Sequence, residues 1–381
     1  MVIKNGRVLD NSNSFLERDI LIENKTISGI GIFDNHEADS NEVIDASGLT
    51  AVPGLIDIHT HGGMGIDIVN CALNELKALT LFYASQGVTS FLPTIATVSK
   101  DKIKASLKKI SELAKENYRG SRILGIHMEG PYISDEYRGA QNKDDIKIPD
   151  IDEFDEYYRY SNGTVKMVTI APEIENALDM IKHLAYKGIV VSIGHTGAEY
   201  STCIEAIKNG AKSATHFLNG MRGFHQHEPS IVGAALENDI YCEIICDGRH
   251  LHPGTVRMLL KVKGPDRLIM VTDSMMAAGL GNGIFEGFNR IFVKDGDARL
   301  EDGTRAGSTL TAINAVKNTI SFSKGRLEEI VRMMTVNPAK LLSVYSRKGS
   351  LEPGKDADIV LLDDDFNIVC TIVEGEVIYQ S

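Results

Sequence analysis

Val52-Pro-Gly-Leu-Ile-Asp-Ile-His-Thr-His61 reads as an apolar strand that ends in two histidines. Side chains alternate along a strand, so His59 and His61 share one face while Thr60 takes the other. Two imidazoles on one face at a strand end can grip a single metal ion. Gly62 and Gly63 follow, which lets the backbone turn with no side chain crowding the histidines. A His-x-His pair can equally cap a strand in solvent, so the rest of the chain has to decide between the two readings.

Downstream, the pattern alternates strand and helix. Leu73 to Gln86 has helical spacing, with Gly87 at the C-cap position. Val88 to Ile95 is a strand, and Ser99 caps a helix running to about Glu116. Further strands are expected at Arg122–Met128, Val165–Ala171, Ile189–Gly194, Ser213–Thr215, Ile240–Cys246 and Arg267–Thr272, with helical spacing between several of them. Counting the first, these strands and their connections match a (β/α)8 barrel of the TIM type, an α/β fold.

Upstream, residues 1 to about 50 read as short strands. Asn5-Gly6 carries the signal of a hairpin turn, and the polar residues 34–42 read as a loop. After residue 280 come a Gly-rich stretch and helical segments to about Val344, and then Asp358–Asp363 and Ile368–Tyr379 return to strands. The simplest architecture is a barrel over 52–348 interrupting a small β-sandwich domain built from 1–51 and 349–381.

Barrel enzymes place their chemistry at the C-terminal ends of the strands. Here those ends carry His59 and His61, then Glu129, His195, His216, Asp247 with His250 just beyond, and Asp273. Each has an ordinary alternative: a lone histidine is usually a core or loop residue, and Asp273 could cap a helix. Coincidence at so many matching positions is a poor explanation, and a shared metal site is the better one.

The formal charge is −12, with no long basic run, so nucleic acid and anionic membranes are not expected partners. An anionic small molecule would need a local cationic pocket. Cys71, Cys203, Cys242, Cys246 and Cys370 are odd in number and scattered, which fits reduced thiols in the cytoplasm. No apolar run at the start or elsewhere suggests a signal or a membrane helix.

The chain resembles the amidohydrolase superfamily and, within it, the N-acetylglucosamine-6-phosphate deacetylase family. The residues that carry the resemblance are Pro53–Gly63, His127-Met-Glu-Gly-Pro131, Gly139-Ala-Gln-Asn142, Gly194-His-Thr196, Thr215-His-Phe-Leu-Asn219, Asp247-Gly-Arg-His250, Val271-Thr-Asp273, Ala306-Gly-Ser308 and Gly349 to Ile359. Other superfamily members bridge two metals with a carboxylated lysine at the end of strand four. Here that end is Thr169-Ile-Ala-Pro-Glu173, with no lysine.

The resemblance implies a hydrolase that releases acetate from N-acetylglucosamine 6-phosphate, in amino-sugar catabolism and cell-wall recycling. The galactosamine epimer, or another N-acyl substrate, is the alternative. It implies one or two divalent ions such as zinc or iron. Glu129, His195 and His216 would hold one, and His59 and His61 with a bridging Glu129 a second. Asp273 would be the general base, with Gln141 and Ala140 beside the acetyl group. Ala306, Gly307 and Ser308 would line the sugar pocket, and Asn219, Gly220, His227, Arg249 and His250 would hold the phosphate.

The family typically carries an arginine where this chain has His227, within His225-Gln-His-Glu-Pro-Ser230. Either phosphate is held more weakly, or Arg222 or Arg249 compensates, or the substrate differs. A homodimer is implied as well, with the loop from Arg222 to Ser230 reaching the partner.

Overall fold

A computed structural model describes residues 1–33, 43–287 and 289–381. The expected loop at 34–42 lies outside the described residues.

Strands Leu55–Thr60, Val88–Ile95, Ile126–Glu129, Val165–Ile170, Val190–Ile193, Ala211–Ala214, Tyr241–Ile244 and Leu268–Met270 are joined in that order by parallel pairing. The barrel closes through a parallel bridge between Thr60 and Ser274 and a bond from the Asp273 amide to His59 O, 2.8 Å. Helices cover the outside. Lys100–Lys115 turns Ile103, Leu107 and Ile110 inward at helical spacing, and all three are buried. Each such side chain contributes about 1.5–3 kcal/mol of burial. Gly87, at φ 78°, ends the helix Leu73–Ser85 as its sequence position suggests.

The stretch that opened the reading is divided between two sheets. Thr50–Pro53 pairs with Val2–Leu9 on one side and Ile359–Leu362 on the other, in the sheet made by the chain ends. Leu55–Thr60 belongs to the barrel. Gly54 is the crossing point: a Cβ there would lie 2.1 Å from Thr89 Oγ1, so no other residue fits. Val52 and Pro53, counted with the barrel on sequence, therefore sit in the end sheet. That sheet has eight strands and encloses its own apolar core, including Ile3, Ile20, Ile27, Ile359 and Ile372.

Asn5-Gly6 is not a hairpin. Val2–Leu9 is one continuous strand, and its register against Phe15–Glu23 slips between Ile3 and Gly6. Asn5 sits at φ 61° and its amide donates to Asp19 Oδ1, 3.0 Å. The left-handed preference of this dipeptide serves a bulge as well as a turn. A further departure lies after residue 280. Gly283–Glu286, Arg290–Lys294 and Asp297–Arg299 form a three-stranded antiparallel sheet where only a Gly-rich stretch is expected. Its strands are short and exposed on one side, and they are held by packing on Met275 and Met276. That contact is invisible to local pattern. The helical segments Ala312–Ser323, Leu327–Ile330 and Val336–Leu341 follow.

Candidate metal centre and active-site cavity

His195 (φ 47°), His216 (φ 28°) and Asp273 (φ 46°) all adopt the left-handed backbone region, which non-glycine residues rarely enter. Each stands where a barrel strand ends and the chain turns away. The turn keeps the side chain over the barrel mouth, and neighbouring bonds hold it. Ser134 N donates to His195 O, 2.9 Å, and Ser308 N to Asp273 O, 2.7 Å. Strain of this kind gathers at functional sites.

Glu129 is the hub. Its Oε1 lies 3.1 Å from His195 Nε2, 3.1 Å from His216 Nε2 and 3.3 Å from His59 Nε2, and its Oε2 lies 3.4 Å from His61 Nε2. Asp273 Oδ1 is 3.3 Å from His61 Nε2 and 3.7 Å from His59 Nε2. Burial works to raise both carboxyls, but the surrounding imidazoles, His59 foremost, outweigh it. Glu129 is held well below the usual carboxylate range and Asp273 at about 2. Both are therefore anions at neutral pH.

The ring orientations fix what the imidazoles offer. His195 Nδ1 faces Tyr137 O at 2.8 Å, and His216 Nδ1 faces Asn219 O at 3.1 Å. A carbonyl only accepts, so Nδ1 carries a hydrogen and Nε2, turned towards Glu129, is the nitrogen placed to bind a cation. The Nε2 atoms of His195 and His216 lie 3.0 Å apart, and those of His59 and His61 3.2 Å apart. Imidazole nitrogens packed this closely around ionised carboxylates need positive charge among them, carried by protons or by a metal ion. The donor set, imidazole nitrogen with carboxylate oxygen, suits a divalent ion such as zinc or iron. Two overlapping sets are present, His59–His61–Glu129 and Glu129–His195–His216, each with ligand atoms within 4.8 Å of one another.

Beneath this rim lies a polar layer that the sequence reading passed over. Glu243 is fully buried; its Oε2 is 3.0 Å from His59 Nδ1 and 3.3 Å from the His216 amide, which donates to it. Ser192 donates to Glu243 Oε1, 3.5 Å, and accepts from Thr215, which meets Thr169, which meets His127 Nε2 at 2.8 Å. Burial keeps His127 well below its ordinary pKa, so it is neutral. Burial also lifts Asp57 to about 6, although Thr272 donates to it. The signals were present: Glu243 interrupts an apolar strand, and Asp57 and His127 share the strand faces of His59 and Glu129.

A carboxylate behind a ligating imidazole fixes its tautomer and raises its basicity. Glu243→Gln keeps the volume and loses the charge. It is expected to weaken metal affinity by about 10- to 100-fold, as read by competition with a chromogenic chelator. Unchanged affinity would reduce Glu243 to a packing residue.

A cavity of about 330 Å3 opens over the rim, within the range of small-ligand sites. It is lined by His61, Glu129, His195, His216 and Asp273, and also by Ala140, Gln141, Asn219, Gly220, His250, Ala306 and Gly307. Gln141 takes the Thr97 amide on Oε1, 2.7 Å, and places Nε2 3.2 Å from His195 Nε2. Gly307 sits at φ 58°, where a Cβ would press to 2.9 Å from Asp273 O.

Several expected residues are elsewhere. Ser308 does not line the cavity; its hydroxyl donates to Thr272 O, 2.6 Å, and accepts from Leu310 N, 2.9 Å. Asp247 is outside the ligand sets. It accepts from the amides of Arg249 and His250 and lies 2.6 Å from His250 Nδ1, so it organises the loop that carries His250. His227 is exposed and Arg249 donates to Asp295 O; neither lines the cavity of its own chain. Arg222 pairs with Glu199 at 3.8 Å. Arg305, on which nothing was placed from sequence, does line it.

The five cysteines are unpaired, and no helix among the described residues is long and apolar enough to cross a membrane.

An eight-stranded parallel barrel with imidazoles and carboxylates converging on one mouth defines a class, the barrel hydrolases that depend on a divalent metal. The family profile described as "Amidohydrolase family" matches residues 50–378. The chain belongs to the amidohydrolase family. It is 35% identical to the N-acetylglucosamine-6-phosphate deacetylase of Bacillus subtilis (strain 168), over 97% of this chain and 98% of that one. It is 34% identical to an N-acetylgalactosamine-6-phosphate deacetylase of Escherichia coli O157:H7, over 85% of this chain and 86% of the relative. The crystal structure of the N-acetylglucosamine-6-phosphate deacetylase of Thermotoga maritima superposes with a TM-score of 0.89 at 37% identity, covering both chains completely.

Proposed function

We propose that this protein hydrolyses the N-acetyl group of N-acetylglucosamine 6-phosphate, giving glucosamine 6-phosphate and acetate. The observation that carries the reading is the cluster of four imidazole nitrogens facing one ionised, buried carboxylate, Glu129, at the mouth of a barrel. The full-length likeness to enzymes of that name supports the choice of substrate.

Glu129, His195 and His216 would hold one divalent ion, and His59, His61 and Glu129 could hold a second. A bound divalent ion acidifies water and polarises the acetyl carbonyl. Asp273, an anion on the cavity wall, takes the proton from the attacking water and hands it to the departing amine. Gln141 and His195 border the reacting end. Ala306 and Gly307 present backbone to the sugar, and Gly307 keeps that wall free of a side chain. Asn219, Gly220 and His250 lie on the cavity wall, where they can receive the phosphate. His250 keeps Nε2 available because Asp247 occupies Nδ1. The exposed loop bearing Phe224 and His227 suits a homodimer in which each subunit offers that loop to its partner.

Acetate release from N-acetylglucosamine 6-phosphate is the test. Activity is expected to vanish after dialysis against chelator, return with a divalent ion, and favour the phosphorylated sugar over N-acetylglucosamine. Turnover that survives exhaustive metal removal would overturn the mechanism. The galacto epimer is the second reading, favoured by the likeness to the E. coli enzyme; a higher kcat/KM on N-acetylgalactosamine 6-phosphate would establish it instead.

A further inference from the structure

The family arginine expected in the loop after the sixth barrel strand is His227 here, and the two arginines that could replace it are turned to other partners. Yet the cavity is not without fixed positive charge. Among the described residues that line it, Arg305 is the only lysine or arginine.

We infer that Arg305 is the subunit's own phosphate-binding cation, a specificity-determining residue set in place by the three-stranded sheet. Its Nε donates to Asp297 Oδ1, 2.9 Å, and its Nη2 to Asp297 Oδ2, 3.4 Å. Its Nη1 donates to Arg249 O, 3.1 Å, the carbonyl immediately before His250. These bonds fix the plane of the guanidinium and leave N–H donors on both terminal nitrogens. Arg305 is partly open to the cavity, with 30% of its side chain exposed.

Asp297 does not cancel the local charge, because it is shared with Arg299 at 2.9 Å. Arg305 thus shares the cavity lining with His250, whose preceding carbonyl it holds, and along the chain adjoins the Ala306-Gly307 wall. A phosphate on the far end of a sugar lying along that wall meets a guanidinium and an imidazole together. Arginine suits this task because its donors match phosphate oxygens in pairs.

This inference rests on the sugar-phosphate reading above, and the two can fail separately. The experiment measures kcat and KM for N-acetylglucosamine 6-phosphate and for N-acetylglucosamine, with wild type, Arg305→Ala and Arg305→Lys. Loss of one charged hydrogen-bonding partner should raise the KM for the phosphorylated sugar about 10- to 100-fold in Arg305→Ala. It should leave kcat within about threefold and leave kcat/KM for the plain sugar unchanged. Arg305→Lys, which keeps the charge, should recover most of the loss. Competitive inhibition by inorganic phosphate should weaken in parallel in the alanine variant.

A wild type that prefers the phosphorylated sugar, with that preference intact in Arg305→Ala, overturns the role of Arg305 alone. Equal loss on both sugars also overturns it, since a purely structural arginine would behave that way. A wild type that does not discriminate between the sugars overturns the role and the sugar-phosphate reading together.

Discussion

Glu129→Gln is expected to leave the fold intact and to remove both the metal and the activity. The substitution changes little in volume at a site only 4% exposed. It takes one negative charge from the point where four imidazole nitrogens converge within 3.4 Å. An amide nitrogen carries hydrogens, and wherever it points it turns them towards the place a cation needs. Both potential ligand sets include Glu129, so neither survives its loss. If the ion supplies about 4 kcal/mol of transition-state stabilisation, kcat/KM falls on the order of 10^3-fold. Metal content by mass spectrometry should fall with it, while the far-UV circular dichroism stays as in wild type. A Glu129→Gln protein that retains a full complement of metal and its turnover would remove Glu129 from the centre.

Asp273→Asn should separate proton transfer from metal binding. Asp273 approaches His61 and His59, the edge of the cluster opposite the carbonyl-anchored pair His195 and His216. An asparagine there keeps the size and the bond from Ser308 N to the backbone of residue 273. It has no site to take a proton. General-base loss lowers kcat about 10^2- to 10^4-fold, and KM should change little because the wall that meets the sugar is untouched. Metal stoichiometry measured beside the kinetics makes the result decisive. Retained metal with collapsed kcat assigns Asp273 to proton transfer. Loss of metal in proportion to activity would make it chiefly a ligand.

Much of the site could be read from the chain because barrel geometry is periodic. Once strand and helix alternate, the last residue of each strand is at the mouth, and His59, His61, Glu129, His195, His216 and Asp273 fall there by counting. The reading failed where placement depends on contacts between distant segments. Ser308 looked like part of the backbone wall of the sugar pocket, but of that segment only Ala306 and Gly307 reach the cavity. Arg249 looked like a phosphate ligand, but it reaches the three-stranded sheet, an element with no local signature. Arg305 carries no motif at all and gains its position from Asp297.

By itself the sequence determined that His59, His61, Glu129, His195, His216 and Asp273 gather at the barrel mouth, since strand alternation and residue type are local properties. The tertiary structure alone decided which imidazole nitrogen faces inward, which arginine meets the cavity, and that Gly54 rather than residue 52 divides the two sheets. Those outcomes depend on carbonyls, carboxylates and threonine side chains brought up from elsewhere in the chain. No window of sequence contains both partners of such a contact.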